Sequence, residues 1–362
     1  MNAYRRIEAL LKEADVRIGG DRPWDIAVHD DRFFAHLLGH GSLGAGESYM
    51  EGWWDSPQLD ELCARILRAR LGLKLRGRHL LLPSLKARLL NLQTPARAFQ
   101  VGQRHYDIGN DLYRAMLDQR MIYSCGYWRN AANLDEAQEA KLDLCCRKLG
   151  LEPGMSLLDI GCGWGGTLRF AVQRYGVKGV GVTVSKEQAK LAQEMCQGLP
   201  VEIRLQDYRD LDERFDRILS IGMFEHVGVK NYSIFMQTVK RCLTPDGRFL
   251  LHTIGRSTSA IKNDPWIERY IFPNSLLPSA KQNFVLEDWH AFGQHYDRTL
   301  MAWHANFNEA WSELKARYDE RFYRMWTFYL LSSAGSFRAR ANQLWQVLFS
   351  SNGIEGSYEV PR

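Results

Sequence analysis

Apolar residues recur at helical spacing through Ile7, Leu10 and Leu11, and again through Leu59, Leu62, Ile66 and Leu67. This predicts a mainly helical N-terminal domain over residues 1–90, with 91–104 reading as a linker. Within it, the glycine-rich run 39–52 leads into Trp53-Trp54-Asp55 and predicts a packed turn region. From about Ser156 the pattern changes, and short apolar strands at 156–160, 179–183, 201–205, 216–221 and 248–254 alternate with helical stretches such as 185–197 and 232–241. Repeated strand–helix units predict a parallel, doubly wound α/β sheet of Rossmann-like type, so residues 105–362 read as the larger domain. Thr244-Pro245-Asp246-Gly247 predicts a turn before the last of those strands, since Pro presets φ and Gly takes φ > 0. After Leu300 an aromatic helical stripe returns through Trp303, Phe307, Trp311 and Leu314.

Charge changes the picture locally rather than globally. Lys and Arg number 47 against 42 acids, a formal net charge of +5, which excludes a disordered polycation. Yet residues 62–106 contain no acid and ten bases: Arg65, Arg68, Arg70, Lys74, Arg76, Arg78, Lys86, Arg88, Arg97 and Arg104. Leucines interleave them, so the segment is a candidate for holding an anionic membrane; the alternative is a solvated helix face meeting the acids of a partner subunit. No apolar run approaches the ~18–20 residues that span a bilayer. The amphipathic start has no apolar signal region, and the seven cysteines have no framework spacing, so a cytoplasmic protein with reduced thiols is expected. C-x-x-C, H-E-x-x-H and G-x-S-x-G are absent, and no metal site is expected. The 11 Trp, 15 Tyr and 16 Phe fit either large apolar cavities and cation-binding surfaces or simply a bulky core.

The chemistry begins at Gly161-Cys162-Gly163-Trp164-Gly165-Gly166, which follows the strand 156–160 and opens a helix. Glycines let backbone approach a ligand closely, and the helix start offers free N–H groups. An NAD site wants an acid about 20 residues later, but 179–183 has none. The acid is Asp159, inside the first strand, and Asp159-Ile160-Gly161-Cys162-Gly163 resembles motif I of class I S-adenosylmethionine (SAM) methyltransferases. Gln206-Asp207-Tyr208 fits their adenine-binding position. Thr183 departs from their usual acidic ribose ligand, and Gln188 reads either as a second ligand there or as a capping-box residue facing Ser185.

Longer motifs narrow the family. They are Gly41-Ser42-Leu43-Gly44-Ala45-Gly46-Glu47-Ser48-Tyr49-Met50, Gly52-Trp53-Trp54, His105-Tyr106-Asp107-Ile108-Gly109-Asn110-Asp111 and Tyr123-Ser124-Cys125. Gly222-Met223-Phe224-Glu225-His226-Val227-Gly228, Leu251-His252-Thr253-Ile254-Gly255 and Glu287-Asp288-Trp289-His290 follow in order. Across nearly its whole length the chain resembles the cyclopropane-fatty-acyl-phospholipid synthases. The segment 280–286 is several residues shorter than that family's pattern.

The resemblance implies transfer of the SAM methyl to the cis double bond of a phospholipid acyl chain, then ring closure by loss of a proton from that methyl. Such chemistry needs an apolar tunnel, π-faces or dipoles for a cationic carbon, and one base. Tyr106, Trp266, Tyr270, Phe272 and Tyr296 suit the first two demands, although any one of them alone is more often core than cation stabiliser. The base implied by the resemblance is a bound bicarbonate, cradled by Cys125, Glu225, His252, Ile254 and Tyr296. Glu225 would accept from its O–H, His252 and Tyr296 would donate, and Cys125 and Ile254 would contribute by position and backbone. Tyr123, Ser124, Gly161, Gly163, Thr183, Gln188, Gln206 and Asp207 would line the SAM pocket by the same resemblance. It also implies a homodimer and peripheral association with the inner face of the cell membrane. The alternative is a SAM-dependent methyltransferase of another lipid or a small molecule without ring closure. No Asn/Asp-Pro-Pro-Tyr base-flipping motif appears, and no nucleic acid partner is expected.

Overall fold

The computed structural model of the protein describes residues 3–71, 109–256, 264–271, 284–354 and 358–362. These residues group into two compact units.

One unit gathers described residues from Met1–Leu90, Ala260–Pro273 and Tyr296–Asn342. Its only sheet among the described residues is a two-stranded ribbon, β1 (Ala27–Val28) against β2 (Trp54–Asp55). The rest is helical: Ala3–Glu13, Arg32–His40, Ser42–Met50, Leu59–Arg68, Pro265–Tyr270, most of Gln294–Leu314, and Glu320–Arg338. Residues 296–342, which the hydropathy pattern groups with the larger domain, fold with the N-terminal helices because Leu59–Arg68 lies directly on Glu320–Arg338. The contact is backbone-close, since a Cβ on Gly335 would stand 2.4 Å from the Asp60 carbonyl oxygen. Arg338 tightens it by donating to both Asp297 oxygens, each at 2.9 Å, and pairing with Asp60 at 2.7 Å.

The glycine-rich run expected as a turn is largely the helix Ser42–Met50. Its glycines serve packing: a Cβ on Gly44 would lie 2.4 Å from the His36 carbonyl oxygen, and one on Gly46 would lie 2.3 Å from the Trp266 ring. Of the ten bases in 62–106, only Arg65, Arg68 and Arg70 fall within the described residues. Arg65 pairs with Glu61 and Asp15 and stacks over Trp24, its guanidinium 4.0 Å from the ring centre. No described helix is long and apolar enough to cross a membrane.

The other unit holds a seven-stranded sheet: β3 (Ser156–Ile160), β4 (Lys178–Thr183), β5 (Val201–Leu205), β6 (Phe215–Ile221), β7 (Leu243–Arg256), β8 (Val285–Ala291) and β9 (Asn342–Ser350). Their spatial order is β5-β4-β3-β6-β7-β9-β8. The pairings from β5 through to β7 are parallel, and β8 runs antiparallel to β9. The first four predicted strands appear within a residue of their expected limits. The fifth is longer: Phe215 pairs with Leu243 and Arg217 with Arg248, so Thr244-Pro245-Asp246-Gly247 is a bulge within β7 rather than a turn before it. β8 and β9 were not predicted, and β9 begins only four residues after an aromatic helix ends, which hides it in the helical pattern.

Neighbouring residues of β3 point to opposite faces and feed two cores: Leu157 packs with Leu168 and Ala192, Leu158 and Ile160 with Phe235 and Phe249. The helix Leu134–Leu149 covers the first face and carries an unusual stripe. Gln138, Lys141, Cys145 and Lys148 recur at three- and four-residue spacing and all have zero exposure. Lys148 Nζ donates to Asp288 Oδ2 at 2.7 Å and lies 3.1 Å from His290 Nδ1, while Arg362 grips both Asp288 oxygens at 2.7 and 3.0 Å. Burial alone would raise the Asp288 pKa; the Arg362 and Lys148 cations outweigh it and hold the carboxyl below its ordinary range.

Asp288→Ala would strand the buried Lys148 charge, and urea unfolding should show a loss of about 3–5 kcal/mol. A loss below about 1 kcal/mol would mean that the pair contributes no more than an exposed salt bridge.

Candidate functional site

The sheet order reverses at β3, where β4 leads one way and β6 the other, and ligands of open α/β sheets bind outside the strand ends at such a point. Here the chain leaves β3 through Gly161 (φ +86°), Gly163 (φ +54°) and Gly165 (φ +78°) and enters the helix Gly166–Tyr175. A Cβ on Gly161 would come within 2.7 Å of the Met223 side chain, and one on Gly166 within 2.1 Å of the Arg120 carbonyl oxygen. Gly161 is therefore fixed by space and by φ, Gly166 by space, and Gly163 by φ alone, with open room beside it.

The cleft above them encloses about 1230 Å³ of empty space, open solvent at its mouth included. Tyr123, Ser124, Gly161, Gly163, Thr183, Gln188, Gln206 and Asp207 all line it. Met121 and Asp159, outside that set, do so as well. Gln188 makes half of a capping box, since the Ser185 N–H donates to Thr183 Oγ1 rather than to the Gln188 side chain. Its backbone N–H donates to the N-cap hydroxyl of Ser185 at 3.2 Å, while its side-chain oxygen accepts from Thr183 Oγ1 at 3.1 Å beside the cleft. Asp207 caps the short turn Tyr208–Asp210, accepting from Arg209 N at 3.0 Å and pairing with the Arg209 guanidinium at 3.1 Å. Gln206 donates from its side chain to the Asp210 carbonyl at 3.2 Å. Metal-ligand clusters are absent among the described residues.

Two buried groups give the cleft its electrostatics. Asp159 is 2% exposed, and burial pushes its pKa up to about 7, with the Lys141 cation opposing. Its Oδ1 has no hydrogen-bond partner among the described residues, so a ligand ammonium or hydroxyl group would satisfy it. Lys141 donates to Ser124 Oγ at 3.0 Å, and Gln138 donates to the Ser124 carbonyl at 2.7 Å. Together they fix the segment Tyr123-Ser124-Cys125 from below. On its other side Asp118 accepts from Ile122 N at 2.8 Å and from Arg120 N at 3.2 Å, holding Met121 at φ +59°. Lys141 was not singled out in the sequence; a lysine within a helix carries no mark of burial until its partners are known.

The five residues expected to cradle a base divide between the units. Cys125, Glu225, His252 and Ile254 belong to the sheet unit; Tyr296 belongs to the other, where its ring lies 4.6 Å from Phe337 and 6.0 Å from Trp303. Glu225 sits on the short turn Phe224–His226 after β6. Its Oε1 accepts from the Ile254 backbone N–H at 2.6 Å, so that N–H is already engaged, while Oε2 has no partner among the described residues. Burial raises the Glu225 pKa to about 7, against the pull of the Ile254 N–H. His252 lies in β7 with 1% exposure. Its Nδ1 is 3.3 Å from Gln346 Nε2, and its Nε2 has no partner among the described residues. Burial first, then the charges of Lys141 and Lys148 and the nearby His290, keep it neutral, its pKa well below that of an ordinary histidine. Cys125 is fully buried, its thiol 3.2 Å from the Gly126 carbonyl. Cys125, Glu225, His252 and Ile254 are not among the residues that line the cleft, and Glu225 Oε2 and His252 Nε2 are buried atoms left unsatisfied among the described residues.

The remaining aromatic candidates fall elsewhere. Trp266 is 1% exposed and packs edge-on against Phe328 at 4.7 Å, and Tyr270 donates to Glu47 at 2.9 Å, both within the helical unit. Tyr106 and Phe272 lie outside the described residues, as does most of the segment 280–286.

A family model described as mycolic acid cyclopropane synthetase matches residues 93–347. The cyclopropane-fatty-acyl-phospholipid synthase of Escherichia coli is 53% identical over 371 residues, covering 100% of this chain and 96% of that protein. The structure of the cyclopropane synthase MmaA2 from Mycobacterium tuberculosis matches with a TM-score of 0.66 at 36% identity, over 72% of this chain and 99% of that one. That of the mycolic acid cyclopropane synthase CmaA1, complexed with SAH and CTAB, gives 0.65 at 35% identity, over 69% and 97%. With a glycine-lined cleft at the sheet's switch point and most of its length matched by the family model, the chain belongs to the mycolic acid cyclopropane synthetase family.

Proposed function

We propose that this protein is a cyclopropane-fatty-acyl-phospholipid synthase, which adds the SAM methyl to the cis double bond of a phospholipid acyl chain and closes a three-membered ring. The observation that carries this reading is a glycine-lined cleft at the sheet's switch point, in the same unit as two unsatisfied buried atoms, Glu225 Oε2 and His252 Nε2. The 53% identity to a relative of that name supports the substrate class. SAM supplies an electrophilic methyl, and bicarbonate supplies the base. Overall, a C–S bond breaks, two C–C bonds form, one proton goes to the base, and S-adenosylhomocysteine leaves.

This chain's residues have defined tasks in that scheme. The glycine loop admits the nucleoside against backbone, Thr183, Gln188, Gln206 and Asp207 meet its polar edges, and Asp159 balances the ammonium of the amino-acid end. Glu225 Oε2 would accept a hydrogen bond from the bicarbonate O–H and so orient the anion. His252 would donate to the anion. Keeping these groups dry strengthens each contact with the anion and with the cationic carbon. The basic stretch 62–106 within the N-terminal region docks on an anionic membrane at the inner face of the cell membrane, gaining about 1 kcal/mol per Lys or Arg near the surface. The active form is a homodimer.

Purified protein incubated with labelled SAM and vesicles of unsaturated phospholipid should yield acyl chains that gain one CH₂ and lose the alkene, read by mass spectrometry. A product with an exocyclic methylene, or no label in lipid, would overturn the assignment.

Glu225→Gln should cut turnover by about a hundredfold or more while SAM affinity, by calorimetry, stays within about threefold. Parallel losses of both would assign the residue a structural role instead.

The same variant carries a stability signature. An acid whose pKa is higher in the folded chain stabilises it fully below its ordinary value of 4.5, and that contribution is lost as the pH rises through about 7. Glu225→Gln should therefore gain stability relative to the parent from pH 5 to 8, reaching on the order of 3 kcal/mol above pH 7 by urea unfolding. A difference that does not change with pH would show that Glu225 is not held protonated.

A further inference from the structure

Behind His252 lies a residue that neither the motifs nor the chemistry above uses. Gln346, in β9, has zero exposure. Its side-chain nitrogen is 3.3 Å from His252 Nδ1 and 3.2 Å from Cys145 Sγ, while its oxygen has no partner among the described residues. An amide NH₂ has two hydrogens, and here two acceptors sit within reach of them. A neutral imidazole whose Nδ1 accepts must carry its proton on Nε2, the nitrogen left unsatisfied in the buried site. The surroundings favour the neutral ring: Lys141 and Lys148 from the helix Leu134–Leu149, and His290 from β8, all bear on it electrostatically, and the Phe292 ring lies edge-on at 5.7 Å. Cys145 stays a thiol, because burial pushes its pKa up to about 11.

We propose that Gln346 is a positioning residue that locks His252 as its Nε2–H tautomer, so that the imidazole meets the cradled anion as a hydrogen-bond donor and has no lone pair there to act as base. This rests on the bicarbonate reading for its catalytic meaning, but the tautomer itself does not. A His252 with its lone pair at Nε2 would compete for the proton of the transferred methyl and repel a carbonate oxygen. With Nε2–H facing the site, that proton must go to another group, which gives a reason for recruiting an anion.

The test uses full-length protein labelled with ¹⁵N-histidine, with the His252 signals assigned by their loss in His252→Asn. Long-range ¹H–¹⁵N correlation spectra of the parent should show His252 neutral and protonated on Nε2. Protonation on Nδ1 in the parent would overturn the proposal outright. Gln346→Glu places an acceptor opposite Nδ1 and should move the proton there or create the imidazolium; Gln346→Met removes the donor at similar volume and should blur the tautomer preference. In whichever variant folds, the bicarbonate concentration for half-maximal turnover should rise about tenfold or more, with the KM for SAM within about threefold. An unchanged His252 spectrum together with an unchanged bicarbonate requirement would overturn the role of Gln346. Parent enzyme that turns over fully after bicarbonate depletion would instead overturn the reading of the base, with the spectra still deciding the tautomer.

Discussion

The constraint on which this unit depends is the burial of a polar helix face. Gln138, Lys141, Cys145 and Lys148 form one stripe of the helix Leu134–Leu149, and each has zero exposure. A buried amide or ammonium without partners costs several kcal/mol, so the surrounding structure must bring partners to it. It does so from four directions: the Ser124 segment under the cleft, Gln346 on β9, Asp288 and His290 on β8, and Arg362. These partners are the elements that carry or adjoin the site. The helix therefore acts as a template that sets where Ser124, and through Gln346 the His252 ring, must stand.

The unit also buries two acids in different surroundings. Asp159 and Glu225 both have pKa values near 7 because both are dry, yet they have different neighbours. Asp159 feels the Lys141 cation, whereas Glu225 is held by the Ile254 backbone N–H. Lys141 also bears on His252 and Cys125, so a single buried charge reaches residues on both β7 and the segment that borders the cleft.

Much of this was legible in the sequence, for identifiable reasons. The strand 156–160 and its glycine loop were readable because a short apolar run, buried on both faces, ends abruptly in residues with special φ. All eight residues expected around the nucleoside meet at one cleft because they sit at strand ends of a repetitive topology. The helix Ser42–Met50 was not readable, since its glycines are required by partners, His36 and Trp266, that are remote or oppositely placed in sequence. Lys141 and Gln346 were missed for a related reason. Each is an ordinary polar residue in a regular element, and only long-range packing, Gln346 against Cys145 over 201 positions, reveals its burial.

The discontinuous build of the helical unit bears on how the chain is made. Its N-terminal helices emerge from the ribosome first, but Leu59–Arg68 packs on Glu320–Arg338, with Gly335 seated at the Asp60 backbone. At about 5–20 residues per second, roughly a quarter to most of a minute of synthesis separates the two. Throughout that interval the apolar side of Leu59–Arg68, with Leu59 and Leu62 later wholly covered, has no partner to receive it. The strands β3 to β7 are contiguous in sequence and can pair earlier, but β9 and Arg362 emerge only after Glu320–Arg338, so the buried polar stripe of the sheet unit is also left open until then.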